Sequence, residues 1–193
     1  MNLRHLPNII SFGRILLVYP VIHMMLEGRF DWALGLFVTA GVSDAVDGFL
    51  AKYCHWQSRL GSYLDPVADK LLLMSSYVAM ASLGLIPVWL TVLVVLRDVI
   101  IFGGAVAYYF LLRPFDGQPL LLSKLNTLFQ LTLVFALLVR QGLASFPEPI
   151  VTVLIALVAL TTVTSGALYV YIWGTSYYRE THPASRVDNP RAP

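Results

Sequence analysis

Apolar residues form six long stretches, separated by short breaks that contain polar residues, glycine or proline. With about 20 residues taken as one membrane crossing, the stretches cover residues 8–26, 32–52, 66–85, 88–112, 120–139 and 150–173. The breaks contain residues that end helices, including Gly28, Gly84, Pro87, Pro114 and Pro147. The pattern therefore predicts an all-α integral membrane protein with six transmembrane helices.

Composition agrees with this prediction. Of the 193 residues, 58% are hydrophobic and only 12% are charged, whereas soluble domains have about 25% charged residues. Residues 1–7 run directly into an apolar stretch without a small-residue cleavage site, so we expect the first stretch to be a retained span and not a signal peptide. The single cysteine, Cys54, cannot form an internal disulfide. A net charge of +2 gives no indication of a nucleic-acid partner.

The basic residues indicate the orientation of the spans. An even number of spans places both termini on one side, and most basic residues fall there: Arg4, Lys52, Arg59, Arg113, Lys124, Arg179, Arg186 and Arg191. The opposite loops contain Arg29 and Arg140. Both termini are therefore predicted to be cytoplasmic. We expect a transmembrane domain over residues 1–175 and a polar, disordered tail over residues 176–193.

Five acidic residues lie within or at the ends of apolar stretches, where a charged side chain is energetically costly, and one of them is Asp98. The other four lie at the second and third stretches. They are Asp44, Asp47, Asp65 and Asp69. Helical spacing places Asp44 and Asp47 on one face with Gly48 and Ala51, near the predicted cytoplasmic end of the second span. Two carboxylates and two small residues thus share this face.

Asp65 immediately precedes Pro66, and a capping carboxylate followed by proline is typical of the start of a helix. We therefore expect Asp65 to open the third span, with Asp69 one turn deeper on the same face. If the two faces meet, four carboxylates converge, and their repulsion requires cations among them. Hard oxygen ligands suit Mg²⁺ or Mn²⁺, and the small residue Gly61 leaves space for a phosphate-bearing ligand.

The spacing of these residues is similar to that of a known sequence signature. From Asp44 the chain reads DAVDGFLAK, then eight residues, Gly61, three residues, Asp65, three residues and Asp69. This resembles the signature of the CDP-alcohol phosphatidyltransferase family, and the six-span layout extends the similarity over nearly the whole chain. One position departs, because the family usually has arginine where Lys52 stands. Lysine keeps the charge but loses the planar, two-pronged contact with phosphate.

The resemblance implies an enzyme that transfers a phosphatidyl group from CDP-diacylglycerol to an alcohol and releases CMP. It implies that Asp44, Asp47 and Asp65 bind metal, and that Asp69 binds metal or acts as the base that accepts the alcohol's proton. Residues implied to border the CDP moiety are Asp47, Gly48, Ala51, Lys52 and Gly61. We expect Mg²⁺ or Mn²⁺, as two ions, to stabilise the departing CMP. The family's tendency to dimerise implies a homodimer.

Other segments bear on the acceptor alcohol. LPNIISFGR, LGSYLDPVADK, RDV and SKLNTLFQ resemble the branch that makes phosphatidylglycerophosphate or, by the CMP-forming route, cardiolipin. Glycerol-3-phosphate enzymes of this branch have a further arginine along span four and a second lysine in span five. Here Arg97 is followed by no basic residue over 100–110, and Asn126 replaces that lysine. Because a phosphate dianion needs several fixed cations, phosphatidylglycerol is the expected acceptor and glycerol-3-phosphate the alternative.

Four residues are candidate contacts to acceptor or lipid phosphate: Asn8, Arg14, Arg97 and Lys124. Arg14 could reach a headgroup or snorkel to the cytoplasmic surface. Arg97 could contact substrate or form a structural ion pair, although Asp98 is not its obvious partner because adjacent residues do not share a helical face. Lys124 could bind phosphate or be solvated.

Two other classes of protein would use intramembrane carboxylates differently. A cation-coupled transporter would carry ions past them, but the cluster lies near one surface and no inverted repeat is visible. A noncatalytic assembly factor would tolerate their loss. Individual carboxylates could also be neutralised by Lys52 or Lys70. We expect a bacterial inner (plasma) membrane enzyme whose active site faces the cytoplasm.

Overall fold

The computed structural model describes the backbone of residues 6–53, 59–111, 121–143 and 147–181. Side chains are described for residues 12–44, 46, 67–104, 121–143, 147–172, 174 and 175. Within the described backbone the chain is all-α, without strands, as predicted. The helices are α1 (Leu6–Leu26), α2 (Phe30–Tyr53), α3 (Arg59–Ser82), α4 (Val88–Leu111), α5 (Leu121–Gly142) and α6 (Glu148–Thr181).

Two glycines end helices where the sequence predicts breaks. Gly28 and Gly84 have φ values of 74° and 71°, in the left-handed region that glycine adopts without strain. After α1, Arg29 N–H donates to the Met24 carbonyl at 2.9 Å, and after α3 the Leu85 N–H donates to the Met80 carbonyl at 2.9 Å. These bonds satisfy carbonyl groups that a helix end otherwise leaves unpaired.

The start of α3 differs from the prediction. The helix begins at Arg59, so Asp65 does not open it, and Asp65 and Pro66 lie in its second turn. Pro66 is thus an interior residue of α3, where proline has a helical φ but cannot donate a backbone hydrogen bond. Asp69 still follows Asp65 by one turn.

The end of α6 also extends past the predicted domain boundary. The helix continues to Thr181, whereas a disordered tail was expected to begin at residue 176. The first part of that segment is therefore helical, and residues 182–193 lie outside the described residues.

Packing joins the helices into one bundle. Helix α1 packs against α2 and α3, α5 against α2 and α6, and α4 against α3 and α6. The core between them contains apolar side chains with almost no exposed surface, among them Tyr77, Met80, Leu90, Leu133 and Leu137. This arrangement places both α2 and α3 against α1.

The bundle exposes large apolar side chains and buries several charged ones, unlike a typical soluble protein. Large apolar side chains such as Leu16, Tyr19 and Phe102 are 61%, 74% and 67% exposed, while several charged and amide side chains are buried: Arg14, Arg97, Asp98, Asn126 and Gln130. An apolar exterior with several charged side chains buried among the helices suits a lipid surround. Among the described residues, two helical segments are long and apolar enough to cross a membrane, Leu121–Gly142 and Glu148–Ile172.

Candidate active site

Asp44 and Asp69 meet at a single arginine nitrogen. Asp44 lies on α2, Asp69 on α3 and Arg14 on α1. Arg14 Nη1 is 2.6 Å from Oδ1 of Asp44 and 2.6 Å from Oδ1 of Asp69. The two carboxylate oxygens are therefore no farther apart than twice this distance. The structure thus brings Asp44 of α2 and Asp69 of α3 together, and the convergence of all four carboxylates stays a prediction.

The exposed fractions of these three side chains show which of them lies deepest in the protein. The Arg14 side chain is 1% exposed, whereas Asp44 and Asp69 are 42% and 49% exposed. The guanidinium therefore lies beneath the carboxylates, toward the protein interior, and the carboxylates are open above it. Arg14 does not snorkel to the surface, and that alternative is wrong. Its long side chain finds a closer anionic partner inside the bundle, and a contact with lipid phosphate stays a prediction.

A cavity of about 160 Å³ adjoins the two carboxylates. Its polar lining comes from Arg14, Asp44, Asp69 and Lys70, and Thr127 of α5 contributes to the facing wall. The remaining lining is apolar or glycine: Phe37, Ala40, Gly41, Leu72, Leu73 and Leu131. With about 30 Å³ per water molecule, the cavity has room for a small polar group. It therefore provides a place for a reacting group beside Asp69.

The donor set fits a divalent cation. Half-exposed carboxylates from two different helices present hard oxygens to one region, as Mg²⁺ and Mn²⁺ prefer. Among the side chains that the structure describes, no three acidic, histidine or cysteine residues form a cluster. Several predicted site residues have side chains outside the described set: Asn8, Asp47, Gly48, Ala51, Lys52, Gly61 and Asp65. Their predicted roles stay predictions.

A second charged cluster lies beside the first, with Asp98 at its centre. Lys70 Nζ is 2.7 Å from Asp98 Oδ2, and Arg97 Nη1 is 2.7 Å from Asp98 Oδ1. Asp98 is therefore a partner of Arg97, which the sequence argument did not expect. The Cβ atoms of adjacent helical residues point in different directions, which was the reason for the expectation. The arginine side chain is long enough to turn back to its neighbour.

Arg97 also joins three helices. Its Nε donates to Ser165 Oγ on α6 at 3.2 Å, and its Nη2 donates to Ser123 Oγ on α5 at 2.7 Å. The side chain is 5% exposed. This geometry favours the structural ion pair of the two alternatives for Arg97, and direct contact with a substrate phosphate stays a prediction. Lys124 is exposed near the start of α5, and its role is likewise a prediction.

Asn126 forms buried hydrogen bonds to a neighbouring helix. It is fully buried, and its Oδ1 accepts hydrogen bonds from the hydroxyls of Thr161 and Thr162, each at 2.9 Å. It thus joins α5 to α6.

Lys70 is a cavity residue that was not predicted as a site residue, since from the sequence it was considered only as a neutralising partner. Its position directly after Asp69 was the signal that places it near the site.

The chain is similar to proteins with known names. A family model described as CDP-alcohol phosphatidyltransferase matches residues 4–173. A human "Cardiolipin synthase (CMP-forming)" is 35% identical over 180 residues, covering 85% of this chain and 60% of that protein. A rice "CDP-diacylglycerol--glycerol-3-phosphate 3-phosphatidyltransferase 1, chloroplastic" is 37% identical, covering 86% of this chain and 56% of that protein. A Bacillus subtilis "CDP-diacylglycerol--glycerol-3-phosphate 3-phosphatidyltransferase" is 29% identical, covering 74% and 82%.

Proposed function

The chain belongs to the CDP-alcohol phosphatidyltransferase family, and we propose that it transfers a phosphatidyl group from CDP-diacylglycerol to an alcohol and releases CMP. The chain spans about 60% of the length of the human relative that it matches. The observation that carries the proposal is the meeting of Asp44 and Asp69 beside an open cavity, inside the matched region. Family membership favours an enzyme over the transporter and the assembly factor.

The proposed site holds divalent metal through carboxylates of α2 and α3. Its ligands are Asp44, Asp47, Asp65 and Asp69, with Mg²⁺ or Mn²⁺ as two ions. When bound, the metal would neutralise charge on the diphosphate and on the departing CMP. The CDP moiety is proposed to lie along Asp47, Gly48, Ala51, Lys52 and Gly61. Small side chains along α2 support this proposal, because they permit close approach of a bulky ligand.

Asp69 is proposed to act as the base. Its carboxylate is half exposed and lines the cavity, so the acceptor hydroxyl can approach within hydrogen-bond distance. Asp69 accepts the hydroxyl proton while the hydroxyl oxygen attacks the phosphorus that bears the diacylglycerol. The bond from that phosphorus to the CMP oxygen breaks, and CMP leaves with the electron pair. The buried guanidinium of Arg14 holds Asp69 in place during this step.

Phosphatidylglycerol is the proposed acceptor. Two features support it: Asn126 binds Thr161 and Thr162 and provides no cation, and Arg97 is engaged by Asp98 and two serines. A small phosphate dianion would need more fixed cations than these. Glycerol-3-phosphate remains the second candidate, because a relative named for that acceptor is 37% identical, against 35% for the human cardiolipin synthase.

We also propose six transmembrane spans with both termini in the cytoplasm, a bacterial inner membrane and an active site facing the cytosol. The apolar exterior and the excess of basic residues in the sequence segments predicted to lie on one side support this orientation. A homodimer is proposed as well. An added Cβ at Gly103 of α4 would meet nothing within 4 Å, which is compatible with a second helix packing there.

Supplying the purified chain with CDP-diacylglycerol and Mg²⁺ or Mn²⁺ tests the proposal. Phosphatidylglycerol and glycerol-3-phosphate are offered separately, and CMP and the lipid product are measured. CMP together with cardiolipin in the phosphatidylglycerol arm supports the proposed acceptor. CMP in the glycerol-3-phosphate arm alone replaces it with the second candidate. No CMP with either acceptor contradicts the proposed branch.

A further inference from the structure

We infer that Lys70 binds the phosphate group of the acceptor, and that Arg97 acts on this contact indirectly, through Asp98. The inference rests on the proposed function and adds to it a residue that binds the acceptor. It also changes the expected role of Arg97 from a phosphate ligand to a positioning residue.

Exposure separates the two cations of the second cluster. Lys70 is 39% exposed and lines the same cavity as Asp69, whereas Arg97 is 5% exposed and does not line it. A ligand in the cavity can therefore reach the ammonium group without any change in packing. The guanidinium of Arg97 donates to Ser123, Ser165 and Asp98, and Arg97 lines a different cavity. Lys70 is the accessible phosphate donor.

Asp98 fixes the direction of Lys70. Asp98 is 5% exposed, and each of its oxygens faces one cation, Oδ2 facing Lys70 and Oδ1 facing Arg97. Arg97 is in turn held by serines on α5 and α6. A lysine side chain is flexible on its own, so this chain of contacts gives the ammonium a fixed position. One of its three N–H donors goes to Asp98, which leaves two for an anion.

Charge indicates the class of ligand. Lys70, Asp98 and Arg97 together carry one net positive charge, because two cations share one carboxylate. The cluster of Arg14, Asp44 and Asp69 beside it carries one net negative charge, so the six groups balance in the metal-free protein. A divalent cation bound at Asp44 and Asp69 would leave an excess of positive charge, which a phosphate anion would offset. A phospholipid phosphodiester carries one negative charge and matches the cluster of Lys70, Asp98 and Arg97. A phosphate monoester such as glycerol-3-phosphate shares the phosphate chemistry but carries more charge than the cluster balances.

Steady-state kinetics of CMP release tests the inference. Phosphatidylglycerol and glycerol-3-phosphate are varied in separate arms at saturating CDP-diacylglycerol. Lys70→Met should raise KM for the acceptor about 10- to 100-fold, as expected for loss of a charge-assisted hydrogen bond, with a smaller effect on KM for CDP-diacylglycerol. Lys70→Arg should restore most of the loss. Arg140→Met is the matched control, because Arg140 is 30% exposed in an ion pair with Glu148.

Arg97 needs a test that separates positioning from contact. Arg97→Met should raise the acceptor KM in the wild-type background and have little further effect in Lys70→Met, since both changes remove the same contact. Asp98→Asn, which keeps the side-chain shape, replaces Arg97→Met if the latter is not recovered folded. Equal effects of Arg97→Met with and without Lys70 would overturn the positioning role.

Binding without turnover keeps this inference separate from the proposed function. Calorimetry with short-chain phosphatidylglycerol, and separately with glycerol-3-phosphate, is performed without CDP-diacylglycerol. We expect binding of at least one acceptor by the wild type and weaker binding by Lys70→Met. Equal binding by the two proteins, or no binding by the wild type, overturns the inference. A wild-type protein that binds acceptor but releases no CMP contradicts the proposed function and leaves the Lys70 contact supported.

Discussion

Arg14 Nη1 donates to Asp69 Oδ1 at 2.6 Å, and this contact joins α1 to α3. A cation with 1% exposure supports a carboxylate with 49% exposure, so the charged pair has a closed side and an open side. Asp44 of α2 approaches the same nitrogen. One buried guanidinium therefore organises three helices around the proposed site.

Arg14→Met should destabilise the metal-free protein. The change removes the buried cation that both carboxylates share, although their exposure lessens the effect. We expect a loss of about 1–3 kcal/mol, below the roughly 3–5 kcal/mol for a fully buried pair. Thermal unfolding in detergent, with chelator and then with Mg²⁺, measures it. Mg²⁺ should recover more stability in the variant than in the wild type. Arg140→Met should cost about 1 kcal/mol or less, and equal losses in both variants would contradict the role of Arg14.

Asp69→Asn should lower the rate of CMP release by about 10²- to 10⁴-fold, the usual contribution of a general base. The amide keeps the shape of the side chain but cannot accept the acceptor proton. Asp31→Asn is the control, because Asp31 is exposed in the first turn of the same helix as Asp44. It lies about 20 Å along that helix from Asp44. A rate for Asp69→Asn equal to that of Asp31→Asn would remove Asp69 from the chemistry.

Gly142→Ala should destabilise the fold at the other end of the bundle. An added Cβ would lie 2.7 Å from the Asp31 backbone nitrogen and 2.8 Å from the Phe30 carbonyl carbon. Neither backbone atom can move without shifting the start of α2, so we expect a loss of about 1–3 kcal/mol. Gly35→Ala is the matched control on α2, where an added Cβ would meet nothing within 4 Å. It should be neutral or stabilising by up to about 1 kcal/mol. Thermal unfolding of both variants decides the comparison.

Thiol labelling in whole cells checks the proposed orientation. In a Cys54→Ala background, which removes the single native cysteine, Glu27→Cys should react with a membrane-impermeant maleimide from outside. Lys124→Cys should react only after the membrane is permeabilised. These outcomes follow if the α1–α2 turn is external and the start of α5 is cytoplasmic. The reverse labelling pattern would show the opposite orientation.

Much of the fold could be predicted from the sequence, because apolar stretches of membrane length are a local property. Glycine breaks are local too, and Gly28 and Gly84 end helices where expected. The predicted start of α3 was wrong because a proline after an acidic residue can occupy either the first helical position or an interior one. The apolar stretch alone could not show that the polar residues from Arg59 onward are helical.

The candidate site was predicted only in part. Spacing along each helix gave the two carboxylate faces, and their meeting is visible at Asp44 and Asp69. The partners of the cations could not be found in this way, since they depend on how helices pack. Arg14 is 55 residues from Asp69, and Lys70 is 28 residues from Asp98. Pairs this far apart leave no periodic signal in a single sequence.

The central claim is that oxygens from α2 and α3 bind a shared divalent cation. Titration of purified, metal-free protein with Mn²⁺, followed by electron paramagnetic resonance, measures this binding without any substrate. The account predicts saturable binding by the wild type and at least about tenfold weaker binding by both Asp44→Asn and Asp69→Asn. Wild-type affinity in both variants, with the protein folded, would contradict it.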